Sequence, residues 1–181
     1  MAEPVQKPGR SRQDFGTPKV FLEAIARQFG PIDMDLACRT DNMVAPYGIA
    51  ENQDLDALAQ DWSDPMYWNK PGNVVESGVQ SRVAFCNPPF GDIRPWAAKV
   101  ESCRWLPRWT LLLVPASMGS KWWAEHVLGK AQVFGIPRMS FDGVNLYPKD
   151  LALIAAGYGV NGTSYWDWRK VGAKLEEAAA E

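Results

Sequence analysis

Histidine is almost missing from this sequence. His126 is the only one in 181 residues, and the three cysteines (Cys38, Cys86 and Cys103) form no CxxC pair. A zinc site gathers about four nitrogen or sulfur ligands. That set is not here, and no metal is expected. An odd, scattered cysteine count also argues against a disulfide framework and for a reducing, cytoplasmic setting. No apolar run approaches the length of a membrane span. The N-terminus is polar and carries Pro4, Pro8 and Gly9, unlike a signal peptide. No excess of positive charge is present either. Nineteen Lys and Arg face twenty-one Asp and Glu, for a net charge of −2. Coating nucleic acid by bulk charge is thereby excluded, and any such substrate needs a local basic patch. There is no internal repeat and no sign of a second domain.

What is present is an ordinary globular composition, 46% hydrophobic and 22% charged, with an unusual nine tryptophans. These rings can serve as core or as stacking surface. The length suits one domain with a substantial core. The most unusual stretch is residues 82–96. Its apolar run Val83-Ala84-Phe85-Cys86 stops at Asn87-Pro88-Pro89-Phe90-Gly91. Two prolines fix two successive φ angles and remove two N–H donors, and each pushes its predecessor out of the helical region. The expected result is a stiff loop at a strand end, with an amide at its base and an aromatic ring at its tip.

Residues 1–13 read as an arm, either a frayed terminus or a basic segment in which Arg10 and Arg12 follow a phosphate backbone. Thr17-Pro18 opens a helix, with Thr as N-cap and Pro in the first turn. Val20, Phe21, Ala24, Ile25 and Phe29 give it one apolar face. The exposed N–H groups of such a helix start can hold a carboxylate. Residues 32–38 alternate as a strand, with Asp35 and Ala37 near its C-terminal end. Residues 39–48 read as loop, residues 51–62 as a short helix near Asp54 and Asp56, and residues 69–81 as an exposed loop. Helices are expected over 95–105 and 121–128, and strands over 109–115, 131–136 and 151–156. The run over 109–115 has the pattern of a strand buried on both faces. A loop over 142–149 precedes the last apolar strand, and residues 170–181 form a charged helical tail. Strands alternating with helices argue an α/β sandwich around a mostly parallel sheet. Ligands then bind at the C-terminal strand ends, where Asp35 and Asn87 lie.

The chemistry of the Asn-Pro-Pro-Phe loop suits a planar amine. The exocyclic nitrogen of adenine is a poor nucleophile because its lone pair is delocalised into the ring. Two preorganised acceptors, the Asn87 side-chain oxygen and the Pro88 carbonyl, could draw that pair out. Phe90 would stack on the base. A paired base cannot reach such a pocket, so the nucleotide would be flipped out of the duplex. No strong base is required, because the proton turns acidic once the nitrogen is alkylated. The competing reading is a proline turn that punctuates a strand end.

The order of features along the chain is Thr17-Pro18, then Asp35-Leu36-Ala37-Cys38, Asp41-Asn42, Asp61-Trp62, and Cys86-Asn87-Pro88-Pro89-Phe90-Gly91. With Leu112 to Pro115, Lys121-Trp122-Trp123 and Arg138 to Phe141, this order resembles the phage-type DNA N6-adenine methyltransferase family (Dam-like) over roughly residues 15–156. The resemblance implies a Rossmann-like, S-adenosylmethionine-dependent methyltransferase domain over residues 14–169, acting on DNA in the cytoplasm of a bacterial host, with protection from restriction as its purpose. It implies that Asn87, Pro88, Pro89 and Phe90 hold the target adenine. Thr17, Pro18, Asp35, Ala37 and Asn87 would line the cofactor site, with Asp54 added for its acidity and position. Lys121, Trp122, Trp123 and Arg138 could contact DNA, the alternative for the two tryptophans being core. The chain departs from methyltransferases generally in having no glycine-rich turn after the first strand, and from many relatives in having Phe90 where they have Tyr. It also lacks a large insertion for target recognition, so selectivity falls to short loops such as 69–81 or 142–149. The same loop chemistry would suit an RNA or protein-glutamine methyltransferase, which the acidic pI of about 5.5 favours. A non-catalytic binding module is the reading from another class.

Overall fold

A computed structural model describes residues 16–50, 56–63 and 83–171. Arg10, Arg12, Asp54, the loop over 69–81 and residues 172–181 of the tail lie outside the described residues, as does the first part of the helix expected over 51–62.

The chain begins with helix α1 (Lys19–Phe29) and strand β1 (Ile32–Cys38), followed by β2 (Tyr47–Ala50) and β3 (Val83–Cys86). Helix α2 (Arg94–Ser102), β4 (Trp109–Pro115), α3 (Lys121–His126) and β5 (Gln132–Ile136) come next. Two further strands, β6 (Leu151–Ala156) and β7 (Gly162–Tyr165), precede a short 3-10 turn at Trp168–Val171. The seven strands form one sheet in the order β2-β1-β3-β4-β6-β5-β7.

This sheet is mixed, which corrects the expectation of a mostly parallel one. β1 pairs in parallel with β2 and β3, β3 with β4, and β5 with β7. β6 runs against both its neighbours, from Pro115 opposite Leu151 to Thr110 opposite Ala156 on β4, and from Ile136 opposite Leu151 on β5. The cause lies in the connection. A parallel neighbour needs a crossover, usually a helix, whereas an antiparallel one needs only a loop. Residues 137–150 contain no helix, so the chain leaves β5 and re-enters the sheet from the same edge.

Strand alternation splits the core in two. Val83, Phe85, Leu111, Leu113, Leu151 and Leu153 face α1, where Phe21, Ile25 and Phe29 cover them. Ala84, Cys86, Leu112, Val114, Ala152 and Ile154 face α2 and α3, under Ala97, Val100 and Trp123. Each large apolar side chain buried in this way contributes roughly 1.5–3 kcal/mol. At the N-terminal edge of β4, Gly157 (φ +142°) leaves room for the Arg108 carbonyl, which a Cβ would meet at 1.9 Å.

Three elements differ from the sequence-based expectation. β2 falls at the end of a stretch read as loop, and β7 has every residue exposed, so neither carries an apolar pattern. Residues 56–63 form turns, capped by Asp56 and Asp61, instead of the end of a helix. Trp62 nevertheless enters the core, its indole N–H donating to the Ala57 carbonyl at 2.8 Å.

Candidate active site

The sheet order reverses about β1: β2 lies on one side, β3 and β4 on the other. In open α/β sheets such a switch point opens a crevice at the C-terminal strand ends. Asn87 is the first residue after β3, and residues 35–38 end β1, so both meet this crevice.

Thr17 was expected to cap α1. Instead Pro18 occupies the N-cap position in extended conformation, and no side chain among the described residues caps the helix. The Thr17 hydroxyl turns to Asn87, whose Nδ2 donates to Oγ1 at 3.0 Å. This contact holds the amide with its nitrogen toward Thr17. The side-chain oxygen of Asn87 is left without a donor among the described residues, and the N-terminus of α1 keeps N–H groups open to an anion. Pro88 is buried behind the loop, while Pro89 is exposed and Phe90 is partly exposed.

Asp35 is buried, and both its oxygens accept backbone hydrogen bonds, from Ala37 N–H at 3.2 Å and Val44 N–H at 3.1 Å. Burial raises its pKa above the ordinary aspartate value, and the two hydrogen bonds offset only part of that. The carboxylate therefore braces the turn after β1, a task that a glycine-rich turn performs elsewhere by other means. Ala37, beside it, is partly buried and small. Burial pushes the Cys38 thiol up to about 12, with the Asp35 charge adding to the effect, and holds that of Cys86 well above its usual value for the same reasons. Neither thiol is a ready nucleophile at neutral pH.

Phe90 does not stand alone. Its ring meets Tyr147 edge-on at 5.6 Å and Phe141 at 6.2 Å, and these two meet each other at 5.7 Å. Such T-shaped contacts contribute roughly 0.5–1.5 kcal/mol each beyond burial. The loop bearing Phe141 and Tyr147 is closed by Tyr147 N–H donating to the Met139 carbonyl at 2.9 Å. Burial raises the Tyr147 phenol above its ordinary pKa, so it stays neutral. Tyr147 was not singled out from the sequence. Its signal was an aromatic residue before a proline in a short loop between two apolar strands.

The sheet edge also sorts the residues named for DNA. Lys121 and Arg138 are exposed, Lys121 in a 3.6 Å ion pair with Glu125. Trp122 is partly buried against Trp123, with ring centroids 5.4 Å apart. Trp123 itself is buried in the core and cannot reach DNA, so its core reading applies.

A family model described as DNA N-6-adenine-methyltransferase (Dam) matches residues 5–153. The chain belongs to the Dam family. The match spans both sides of the crevice, from the segment before α1 into β6. Membership gives the chain its coarse function, that of a DNA adenine methyltransferase with DNA as substrate. No curated protein gives a match to the sequence. Among the described residues no group of three His, Cys, Asp or Glu side chains is placed to hold a metal, and no helix is long and apolar enough to cross a membrane.

Proposed function

We propose that this Dam-family chain is a Rossmann-like enzyme that uses S-adenosylmethionine to methylate the N6 amine of an adenine flipped out of DNA. The observation that carries this reading is the Asn87–Thr17 hydrogen bond, which orients the amide and leaves its oxygen to accept from an amine. Asn87 accepts one N6–H, and the loop fixed by Pro88 and Pro89 supplies a second acceptor. Both draw the nitrogen lone pair out of the ring. Phe90, backed by Phe141 and Tyr147, holds the base plane.

The cofactor's donor requirements fit the residues present. The uncapped start of α1 at Thr17 and Pro18 suits its carboxylate, and Ala37 leaves space at the end of β1, where the buried Asp35 shapes the site by holding the Ala37 and Val44 backbone. S-adenosylmethionine supplies the electrophilic methyl group. Arg138 and Lys121, both exposed at the strand-end edge, support contact with phosphates. A bacterial cytoplasm, a phage origin and a role in restriction-modification remain part of this reading, as does a site-specific mode of action.

Two measurements test it. Purified protein should transfer labelled methyl from S-adenosylmethionine to DNA adenine; transfer to RNA or protein with none to DNA rejects the substrate. Asn87→Ala should lower turnover at least about 100-fold, in the range for loss of one transition-state acceptor. Its thermal midpoint and cofactor affinity should stay close to those of the parent. Turnover retained in that variant removes Asn87 from the chemistry.

A further inference from the structure

The loop over residues 137–150 does more than back Phe90. It leaves β5 at Ile136 and enters β6 at Leu151, and these two residues pair across the sheet opposite Pro115 of β4. Both its ends are therefore fixed at the strand edge that carries Asn87. Phe141 and Tyr147 lock its stem to Phe90. The tip between them is built on one carboxylate. Asp142 accepts from the N–H groups of Val144 at 2.9 Å and Asn145 at 2.7 Å, from the Ser140 hydroxyl at 2.8 Å and from the Asn145 amide at 3.2 Å. Gly143, at φ +75°, makes the turn. This braced tip presents two large apolar side chains to solvent, Val144 at 83% and Leu146 at 61% exposure. Met118, from the neighbouring β4–α3 loop tied down by Ala116 N–H to the Asp150 carbonyl at 2.9 Å, adds a third at 61%.

Apolar groups held out on a braced tip offer a surface to an apolar partner, and the attachment to Phe90 points to where that partner lies. A base drawn to Phe90 leaves a gap in its duplex, walled by the faces of the two flanking base pairs. Apolar side chains such as Leu, Ile and Phe are the chemistry that fills such a step. We propose that Val144 and Leu146 form a wedge that enters the DNA duplex beside the extruded adenine and holds the gap open. This rests on the reading of the chain as a base-flipping adenine methyltransferase. The partner is duplex DNA, and the wedge acts on the flipping equilibrium, not on methyl transfer itself.

The test compares methyl transfer to a duplex bearing the target site, identified by modification sequencing, with transfer to the same duplex carrying an abasic site opposite the target adenine. In the second substrate the base is already unpaired, and extrusion costs least. Val144→Thr with Leu146→Asn keeps side-chain size and removes apolar character. The expected result is a loss of about tenfold or more in kcat/KM on the paired duplex. The abasic duplex should keep near-parental rates, with an unchanged thermal midpoint. Equal losses on both substrates, or no loss on either, overturn the wedge while leaving the catalytic reading intact. A parent protein that methylates neither duplex overturns both. Should the double variant melt lower, Val144→Thr alone carries the same comparison.

Discussion

Asn87 and Thr17 lie seventy positions apart and are joined by one hydrogen bond. Removing the hydroxyl while keeping the shape isolates its worth. Thr17→Val should lower kcat up to about tenfold, the range of one neutral hydrogen bond, whereas Thr17→Ser should retain most of it. A kcat untouched by Thr17→Val would mean that the amide is held by other means. Asn87 was legible in the sequence because two prolines after an apolar run are hard to explain as ordinary structure. The direction of the Thr17 hydroxyl was not legible, because cap preference points it into its own helix and only the fold brings it to β3. The buried thiols give a second prediction at this scale. The folded value of Cys38 is raised to about 12 from 9.0. Its contribution is therefore fully present below pH 9 and is lost as pH rises from 9 through 12, where the unfolded chain binds fewer protons than the folded one. The limiting slope is about 1.4 kcal/mol per pH unit for each such thiol. The thermal midpoint should fall above pH 9, and Cys38→Ala should flatten that fall.

Among the elements, the loop between β5 and β6 decides most. Asp142 is held below the usual carboxylate range by the Asn145 and Val144 N–H groups first, then by Ser140 and the Asn145 amide. Its bracing is accordingly present above the ordinary aspartate pKa and lost as pH falls through the folded value, so it operates across the neutral range. Asp142→Ala should free the tip and lower kcat/KM for paired DNA several-fold, with cofactor affinity little changed. Asp142→Asn, which keeps one acceptor, should fall between. Steady-state kinetics against DNA concentration decides this, and an unchanged kcat/KM in Asp142→Ala would show that the four hydrogen bonds are not needed. The direction of β6 was readable in principle, because no amphipathic stretch separates it from β5. The strand was read from its apolar run, and its direction from the habit of the fold. β1, β4 and β6 announced themselves by hydrophobic pattern. β7 did not, because its residues are all exposed and it joins β5 by backbone pairing and one Gln132–Ser164 side-chain hydrogen bond.

The whole molecule carries a net charge of −2, so DNA must be met by a few cations at the strand-end edge instead of by a uniformly basic surface. Two phosphates neutralised there, by Lys121 and Arg138, would give a slope of about −1.8 in log K against log salt. Arg138→Ala should make it shallower by about one unit, uniformly across DNA sequences. A slope unaffected by that change would place the DNA elsewhere on the surface. The two-faced core was legible as a whole, since continuous apolar strands between amphipathic helices leave few other solutions. The aromatic trio was not, because Phe90, Phe141 and Tyr147 meet only once β5 has returned the chain to the edge that β3 reaches.

That return has a consequence for how the protein can change. Residues 137–150 hang between two strand ends that the sheet fixes independently. Doubling the length of a flexible loop costs only about 0.6 kcal/mol in closure entropy. Insertions around positions 143–146 can therefore be sampled without disturbing Asn87 or the strands that carry it. Change in length has a hinge-free, replaceable part to work on, while the sheet that carries Asn87 stays under separate constraint.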